Sequence, residues 1–356
     1  FKLEEKQIGK SKKLTHWEED VALPTKVMVI GVAKFATKIY DDSPKETPVS
    51  AWVYPKDSTK GFYDYHQAVD IVKFFSGYIA PYPYNKLANV QSKTIFGGME
   101  NASCVFYAES TVTGTRSSED LLAHEIAHQW FGDMASEKSF AHLWLSEGFA
   151  TYFTDLYFEN KYGKVATIKR LKKEREEAIE FAQHTTHAVV DSTKDLMSLL
   201  NANSYQKGAW VLHMLRNEVG DSVFQKIIQT YYNQYKGRNA DTGDFEAVAE
   251  KVSGKDLKWF FDQWLYQPGI PSLHFSWTFK NGNVELMLRG ENAQTEWQLP
   301  VEFSFVFGDG KIKKHMVRLS TTGHVVTKIP AIQKPVKIIL DPDTNLLFVG
   351  TVVRAN

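Results

Sequence analysis

The 356-residue sequence lacks several compositional features that identify large classes of protein. Cys104 is its only cysteine, so no disulfide can form within the chain. Its 42 lysine and arginine residues are balanced by 42 aspartate and glutamate residues. A chain without a positive excess gives no reason to expect nucleic acid or an anionic membrane surface as a partner.

Long apolar runs are missing as well. No stretch approaches the roughly 20 apolar residues that a membrane-spanning helix needs, so no transmembrane segment is predicted. No signal peptide is visible, and the chain opens on Phe1, so we expect an excised or processed piece of a longer protein. The compartment stays unassigned, because a periplasmic or secreted location and a cytoplasmic one are both compatible with these features.

The chain does contain ample material for packed cores. Hydrophobic residues make up 43% of it, with 9 tryptophans, 16 tyrosines and 23 phenylalanines, a composition that argues against disorder. Because 356 residues exceed one ordinary domain, two or three domains are expected.

Candidate catalytic residues are concentrated at residues 124–128, which read His-Glu-Ile-Ala-His. On a helix, histidines four positions apart lie on one face about one turn apart, where two neutral imidazoles can share a Zn²⁺ ion. Glu125 lies between them and is available as the general base that activates water. A zinc site of this kind needs a third protein ligand, and Glu147 is the candidate.

The flanking residues predict that this stretch lies on a largely buried helix. Ser117 reads as the N-cap, Glu119 and Asp120 follow in the first turn, and Gly132 ends the helix. Its apolar residues are Leu121, Leu122, Ile126, Ala127, Trp130 and Phe131. Histidine and glutamate are costly to bury unless something pairs them, so a metal site is favoured over a solvated helix face.

Three further stretches accompany this helix. Residues 97–101 read Gly-Gly-Met-Glu-Asn, residues 205–209 read Tyr-Gln-Lys-Gly-Ala, and residues 264–271 read Trp-Leu-Tyr-Gln-Pro-Gly-Ile-Pro. Together with the His-Glu-Ile-Ala-His stretch and Glu147, they resemble the gluzincin aminopeptidases of the aminopeptidase N family. The resemblance runs from about Thr15 to Pro271, with the motifs in family order.

The resemblance implies a zinc metallopeptidase that binds one Zn²⁺ per chain. The metal ligands are then His124, His128 and Glu147, and the catalytic residues are Glu125 as general base and Tyr205, which stabilises the oxyanion. The substrate-binding residues are Gly97, Gly98, Met99, Glu100 and Asn101. They are expected on an edge strand beside the zinc, where Glu100 holds the free α-amine of the substrate.

One position departs from the family pattern. The family often has an acidic residue that supports the metal ligands at the position of Thr154, and here Asp155 stands next to it. Metal-bound histidines usually donate their second nitrogen to such an acceptor. Either Asp155 or another acceptor is expected to take this role.

The function that follows is hydrolysis of the N-terminal peptide bond of peptides with a free N-terminus, by metal-activated water. Two alternatives stay open. One is a bifunctional aminopeptidase and epoxide hydrolase of the same superfamily, whose added chemistry needs residues that this sequence does not visibly supply. The other is a catalytically inactive scaffold relative, against which the intact site residues argue.

The pattern and the resemblance together predict an α+β fold in three parts. Residues 1–48, with a buried strand at 26–35, are remnant strands of an N-terminal β domain, whose missing part is an expected partner of this chain. Residues 49–271 are a thermolysin-like zinc peptidase domain, a small mixed sheet followed by a mainly α-helical half. Residues 272–356 carry short β-rich runs and an Asn281-Gly282 hairpin signal, which predict a small β-sandwich.

Overall fold

The computed structural model describes residues 1–193, 195–289, 296–321 and 326–355. By internal packing the chain divides into two units, one formed by residues 1–157 and 225–248 and the other by residues 158–224 and 249–356. The predicted division into residues 1–48, 49–271 and 272–356 stays a prediction, because packing units do not show where one domain was joined to the next.

In the first half of the chain the described helices and strands alternate. In the second half the helices come first, with one short strand among them, and the remaining strands follow. The helices are α1 (Ser58–Asp64), α2 (Gln67–Tyr78), α3 (Glu119–Ala127), α4 (Trp144–Tyr162), α5 (Lys164–Ala182), α6 (Gly208–Val219), α7 (Asp221–Tyr235), α8 (Thr242–Ser253) and α9 (Lys258–Phe261). The first strands are β1 (Lys2–Ile8), β2 (Lys12–Trp17), β3 (Ala36–Ile39), β4 (Val49–Val53), β5 (Leu87–Ser92), β6 (Gly98–Met99), β7 (Cys104–Ala108), β8 (Ala135–Glu137) and β9 (Arg238–Ala240). The last are β10 (Ser272–Lys280), β11 (Asn283–Arg289), β12 (Gln298–Val306), β13 (Ile312–Ser320), β14 (Val326–Pro330), β15 (Lys337–Leu340) and β16 (Val349–Arg354). Within the part of the chain that is described, no helix is long and apolar enough to cross a membrane.

A mixed sheet of five described strands lies in the first unit, in the order β3-β4-β5-β7-β6. Strands β4, β5 and β7 run parallel, and β3 and β6 pair antiparallel with their neighbours. The parallel strands are largely buried, which explains why they read as apolar runs. The order places β6 at an edge of the described sheet, so an edge strand is present within residues 97–101 as predicted, but it covers only Gly98–Met99.

Aromatic packing fixes α4 against the chain that follows α3. The ring of Phe131 lies 4.8 Å from that of Phe149 and 5.1 Å from that of Phe153. Phe149 in turn contacts Tyr231 of α7 and Phe245 of α8, at 5.7 and 5.2 Å. These rings are all buried, so α4 is held on several sides, and its first turn is brought alongside α3.

The limits of α3 differ from the predicted ones. Its N-cap is Ser118 instead of Ser117, and its regular part ends at Ala127 instead of Gly132. Beyond Ala127 the hydrogen bonds become irregular, since its carbonyl accepts from both Trp130 and Phe131, at 3.1 and 3.3 Å. The apolar pattern continues past the regular helix because this tighter turn buries the same side chains.

The buried strand predicted at residues 26–35 is wrong. The chain forms a single turn at Thr25–Val27, and β3 begins only at Ala36. Val27 is buried, but Ile30 and Val32 are 91% and 92% exposed. An apolar run forms a buried strand only where neighbouring strands pair with it, and no strand of the described chain pairs with residues 28–35.

The second unit ends in two facing sheets, and this confirms the predicted β-sandwich. Their strand orders are β14-β11-β10-β16 and β13-β12-β15. The rings of Phe275 in β10 and Phe303 in β12 meet at 5.0 Å between the sheets. The predicted hairpin is also present, because Asn281 and Gly282 have φ angles of 50° and 71° and join β10 to β11.

Tyr205 lies in the second unit, on a π-helical turn at Asn203–Lys207 that leads into α6. Lys207 anchors this turn, because its buried ammonium donates to the carbonyls of Gln267 and Gly269, at 3.3 and 2.9 Å. The Tyr-Gln-Lys-Gly-Ala stretch and the Gln-Pro-Gly stretch therefore meet within this unit. Burial of Lys207 lowers its pKa to about 7.

Candidate active site

Helices α3 and α4 bring together three groups that can bind a metal. The Nε2 atoms of His124 and His128 lie 3.1 Å apart, and each is 3.2 Å from Oε2 of Glu147. Among the described residues, these three form a group that could hold a metal ion. Ligands placed 2.0–2.1 Å from a tetrahedral ion are roughly 3.3–3.4 Å apart, so the observed separations fit one small ion.

The electrostatics of this group attract positive charge. Burial alone would lower the pKa of His128, but the Glu147 carboxylate outweighs it and raises the pKa to about 10. Burial would likewise raise the pKa of Glu147, but His128 and His124 hold it well below its usual range. A carboxylate buried between two imidazoles is stabilised by a cation, and a divalent ion supplies that charge without a proton.

His128 is held in the orientation that a metal ligand needs. Its Nδ1 lies 3.1 Å from the Phe131 carbonyl and 3.1 Å from Oγ of Ser146. A carbonyl can only accept, so Nδ1 carries the ring proton and donates it. Nε2 therefore faces His124 and Glu147, and once a metal replaces its proton the lone pair points at the metal, as in other histidines whose second nitrogen is fixed by an acceptor.

Gly132 makes room for this arrangement. Its φ angle is +114°, and a Cβ atom there would lie 2.2 Å from Oγ of Ser146 and 3.1 Å from Nδ1 of His128. A side chain at this position would thus displace a hydroxyl that supports the imidazole. The need for glycine is both conformational and steric.

Two neighbouring residues of α4, Thr154 and Asp155, were considered as acceptors that support the candidate metal ligands. The Thr154 hydroxyl donates to the carbonyl of Ala150 in its own helix, at 2.9 Å. It is therefore engaged away from the metal ligands. Asp155 is fully buried in the same helix, and the choice between Asp155 and another acceptor stays a prediction; for His128 the structure shows the Phe131 carbonyl as the acceptor.

The edge strand passes directly over Glu125. A Cβ atom on Gly98 would lie 2.4 Å from Oε1 of Glu125 and 2.5 Å from its Cδ, so only glycine permits this approach. Burial raises the pKa of Glu125 well above its usual range, and His128 opposes this effect. The structure thus brings β6, Glu125 and the three candidate ligands to one place in the first unit.

The other residues of the 97–101 stretch are held by backbone hydrogen bonds. The Gly97 carbonyl accepts from Ala108 of β7 at 2.9 Å, and Met99 pairs with Phe106 of the same strand. The Glu100 carbonyl accepts from Gln129, and Asn101 is buried. The stretch is therefore fixed on one side by β7 and on the other by the chain that follows His128.

Sequence reasoning missed three supporting residues: Gln129, Gly132 as a steric necessity, and Ser146. Ser146 and Gln129 stand next to the candidate ligands Glu147 and His128, and this adjacency is the one signal that could have singled them out. Tyr205 was predicted from its motif alone. It belongs to the second unit, and its catalytic role stays a prediction.

Replacing Gly132 by alanine is expected to weaken metal binding about 10- to 100-fold, the usual effect of losing a group that supports a ligand. The new methyl group would displace the Ser146 hydroxyl from Nδ1 of His128. Zinc affinity can be measured by competition with a chelator.

Gly237→Ala is the matched control. Gly237 also has a positive φ angle, +71°, but a Cβ atom there would meet nothing of the described chain within 4 Å. It therefore carries the conformational strain without the clash. Equal zinc affinity in the two variants would contradict the steric role of Gly132.

Comparisons with known proteins find relatives among the peptidases. The profile of the peptidase family M1 domain matches residues 63–264. The chain is 28% identical to aminopeptidase M1-C of Oryza sativa subsp. japonica over 311 residues, which cover 81% of this chain and 35% of that protein. It is also 28% identical to probable aminopeptidase 2 of Sulfurisphaera tokodaii over 310 residues, with coverages of 82% and 39%.

A solved structure shows the same fold. The crystal structure of Legionella pneumophila aminopeptidase A in complex with aspartic acid superposes with a TM-score of 0.82, at 18% identity. It covers 98% of this chain, which spans 42% of that one. The chain thus spans well under half the length of these relatives, and the match of the family profile to more than half of its residues shows that it belongs to peptidase family M1.

Proposed function

We propose that this chain is the catalytic part of a zinc aminopeptidase, which removes the N-terminal residue from peptides. The observation that carries the proposal is the triangle of His124, His128 and Glu147, with Glu125 beside it under a sheet edge. These groups lie together in a member of a peptidase family. The presence of all three candidate ligands and of Glu125 argues against an inactive scaffold. No observation favours epoxide hydrolysis.

The donor set supports zinc as the metal. Two imidazoles and one carboxylate are the ligands of many hydrolytic zinc sites, which keep a further position open. When bound, zinc would lower the pKa of water and polarise the carbonyl of the scissile bond. His128 would hold it through Nε2, because its Nδ1 is engaged with the Phe131 carbonyl and Ser146.

Glu125 is proposed as the general base. It accepts a proton from the attacking water and passes this proton to the amine that leaves. Gly98 keeps the strand close enough to bury the carboxylate without displacing it. Tyr205 is proposed to donate a hydrogen bond to the oxyanion that develops on the carbonyl.

The substrate is proposed to lie along β6 with its free α-amine toward Glu100. An extended peptide can add to the exposed edge of a sheet, and Gly97 and Gly98 offer backbone groups for this pairing. The half-buried Glu100 follows Gly98 after one intervening residue, Met99, and its carboxylate can pair with an ammonium group. The rest of the full-length protein, including the N-terminal β domain, is proposed to complete the substrate site.

Changing Glu125 to glutamine is expected to lower kcat for an aminoacyl-arylamide by about 10²- to 10⁴-fold, because the base is lost while the ligands stay. Bound zinc should be unchanged. Asp120→Asn is the matched control, since it makes the same chemical change at an exposed position at the start of α3. A nearly normal kcat in the Glu125 variant would refute the assignment.

Changing Glu100 to alanine is expected to raise KM for substrates with a free amine by roughly 10- to 100-fold, the loss of a charge-assisted hydrogen bond. Activity toward N-acetylated analogues should not fall, because they lack the ammonium group. Steady-state kinetics on the paired substrates measure this difference. Equal losses on both substrates would show that Glu100 is not the amine anchor.

A further inference from the structure

Gln129 lies at the centre of a hydrogen-bond network that the catalytic roles do not use. It follows His128 directly, and its side chain is completely buried in the first unit. Within the described chain, its amide donates two hydrogen bonds and accepts two. The partners are the Glu100 carbonyl at 2.8 Å, Oδ2 of Asp133 at 2.9 Å, the Tyr82 hydroxyl at 3.0 Å and the Ser103 N–H at 2.7 Å.

The network uses the whole capacity of a primary amide and determines its orientation. An amide has two N–H donors and an oxygen with two lone pairs, and all four are engaged. The Glu100 carbonyl can only accept and the Ser103 N–H can only donate. A flipped amide would therefore place donor against donor and acceptor against acceptor, so glutamine satisfies both ends in one orientation.

Two of the four bonds reach the backbone at the two ends of one short segment, residues 100–103. Ser103 has a φ angle of 60°, which a residue with a side chain rarely adopts. The Cys104 N–H donates to the Asn101 carbonyl at 2.9 Å and closes the segment as a turn. Gln129 thus bridges the ends of a strained turn from outside it.

The bridge also connects two parts of the proposed site. Gln129 stands immediately after the candidate ligand His128, while the turn that it holds begins at Glu100. Strand β7 holds the residue before Glu100, and Gln129 links the Glu100 backbone to the chain that carries the metal group. A shift of that backbone would move the amine anchor without touching a metal ligand.

We propose that Gln129 is a positioning residue: by holding residues 100–103 against the chain after His128, it sets the place of the Glu100 carboxylate and so the selectivity for substrates with a free α-amine. This inference rests on the proposed role of Glu100. Gln129 itself touches neither the substrate nor the metal. Its contribution is geometric and acts through the Glu100 carbonyl and the Ser103 N–H.

The test replaces Gln129 by methionine, which has a similar length but lacks the amide. KM for a free-amine arylamide should rise about tenfold, as for one lost buried hydrogen bond, with no fall in activity on the N-acetylated analogue. Bound zinc should stay at the wild-type level. In a Glu100→Ala background, the same replacement should add almost nothing to KM, because the anchor that it displaces is already gone.

Gln129→Asn keeps an amide but is one carbon shorter and cannot hold both ends of residues 100–103 in the same way, so it tests the same link without a new charge if the methionine variant does not fold. Tyr82→Phe is the matched control, since it removes one bond of Gln129 and leaves both bonds to residues 100–103. It should change the amine preference little. Equal losses on both substrates, additive effects in the Glu100→Ala background, or loss of zinc would overturn the inference.

Hydrogen exchange separates failure of this inference from failure of the proposed function. The Ser103 amide, which donates to Gln129, should exchange faster in Gln129→Met. Unchanged exchange would overturn the positioning role, whatever Glu100 does. A different outcome is faster exchange in Gln129→Met with an unchanged amine preference in both Gln129→Met and Glu100→Ala. That outcome would overturn the role of Glu100, and this inference with it.

Discussion

The contact of the Glu147 carboxylate with the imidazoles of His124 and His128 is the interaction on which the rest of the first unit depends. Taking these groups out of water is unfavourable unless they are paired. The aromatic packing between α4 and the chain after α3 holds them within 3.1–3.2 Å. A buried cluster with this geometry can bind a cation. The aromatic packing elsewhere in the unit maintains that geometry.

Close approaches of the backbone complete the arrangement around that cluster. Gly98 lets the edge strand lie against Glu125, and Gly132 lets the Ser146 hydroxyl reach His128. Gln129 joins the chain after His128 to the turn at residues 100–103. Each contact ties a group proposed for catalysis or binding to a neighbour that is far away in sequence. The site is thus built by tertiary contacts, although its candidate ligands lie on two helices or, for His128, directly after one.

The two candidate histidine ligands and the edge strand could be predicted because their signals are local, whereas Glu147 was found through its spacing in the family resemblance. Histidines at helical spacing and a glycine pair before Glu100 carry their meaning in a few neighbouring residues. Gln129 and Ser146 could not be assigned in this way, since their partners become visible only when distant segments meet. The strand predicted at residues 26–35 failed for a related reason: an apolar run does not show whether a neighbouring strand exists to pair with it. The hairpin at Asn281 and Gly282 succeeded because its turn chemistry is local.

Zinc stoichiometry tests the central claim most directly. The purified chain, loaded with zinc and freed of excess metal by gel filtration, should retain one zinc per chain by elemental analysis. Glu147→Gln should lose most of it, because the variant lacks the carboxylate that joins the two imidazoles, whereas Glu177→Gln on α5 should retain it. Zinc retained at the wild-type level in Glu147→Gln would contradict the account, as would the absence of bound zinc in the unaltered chain.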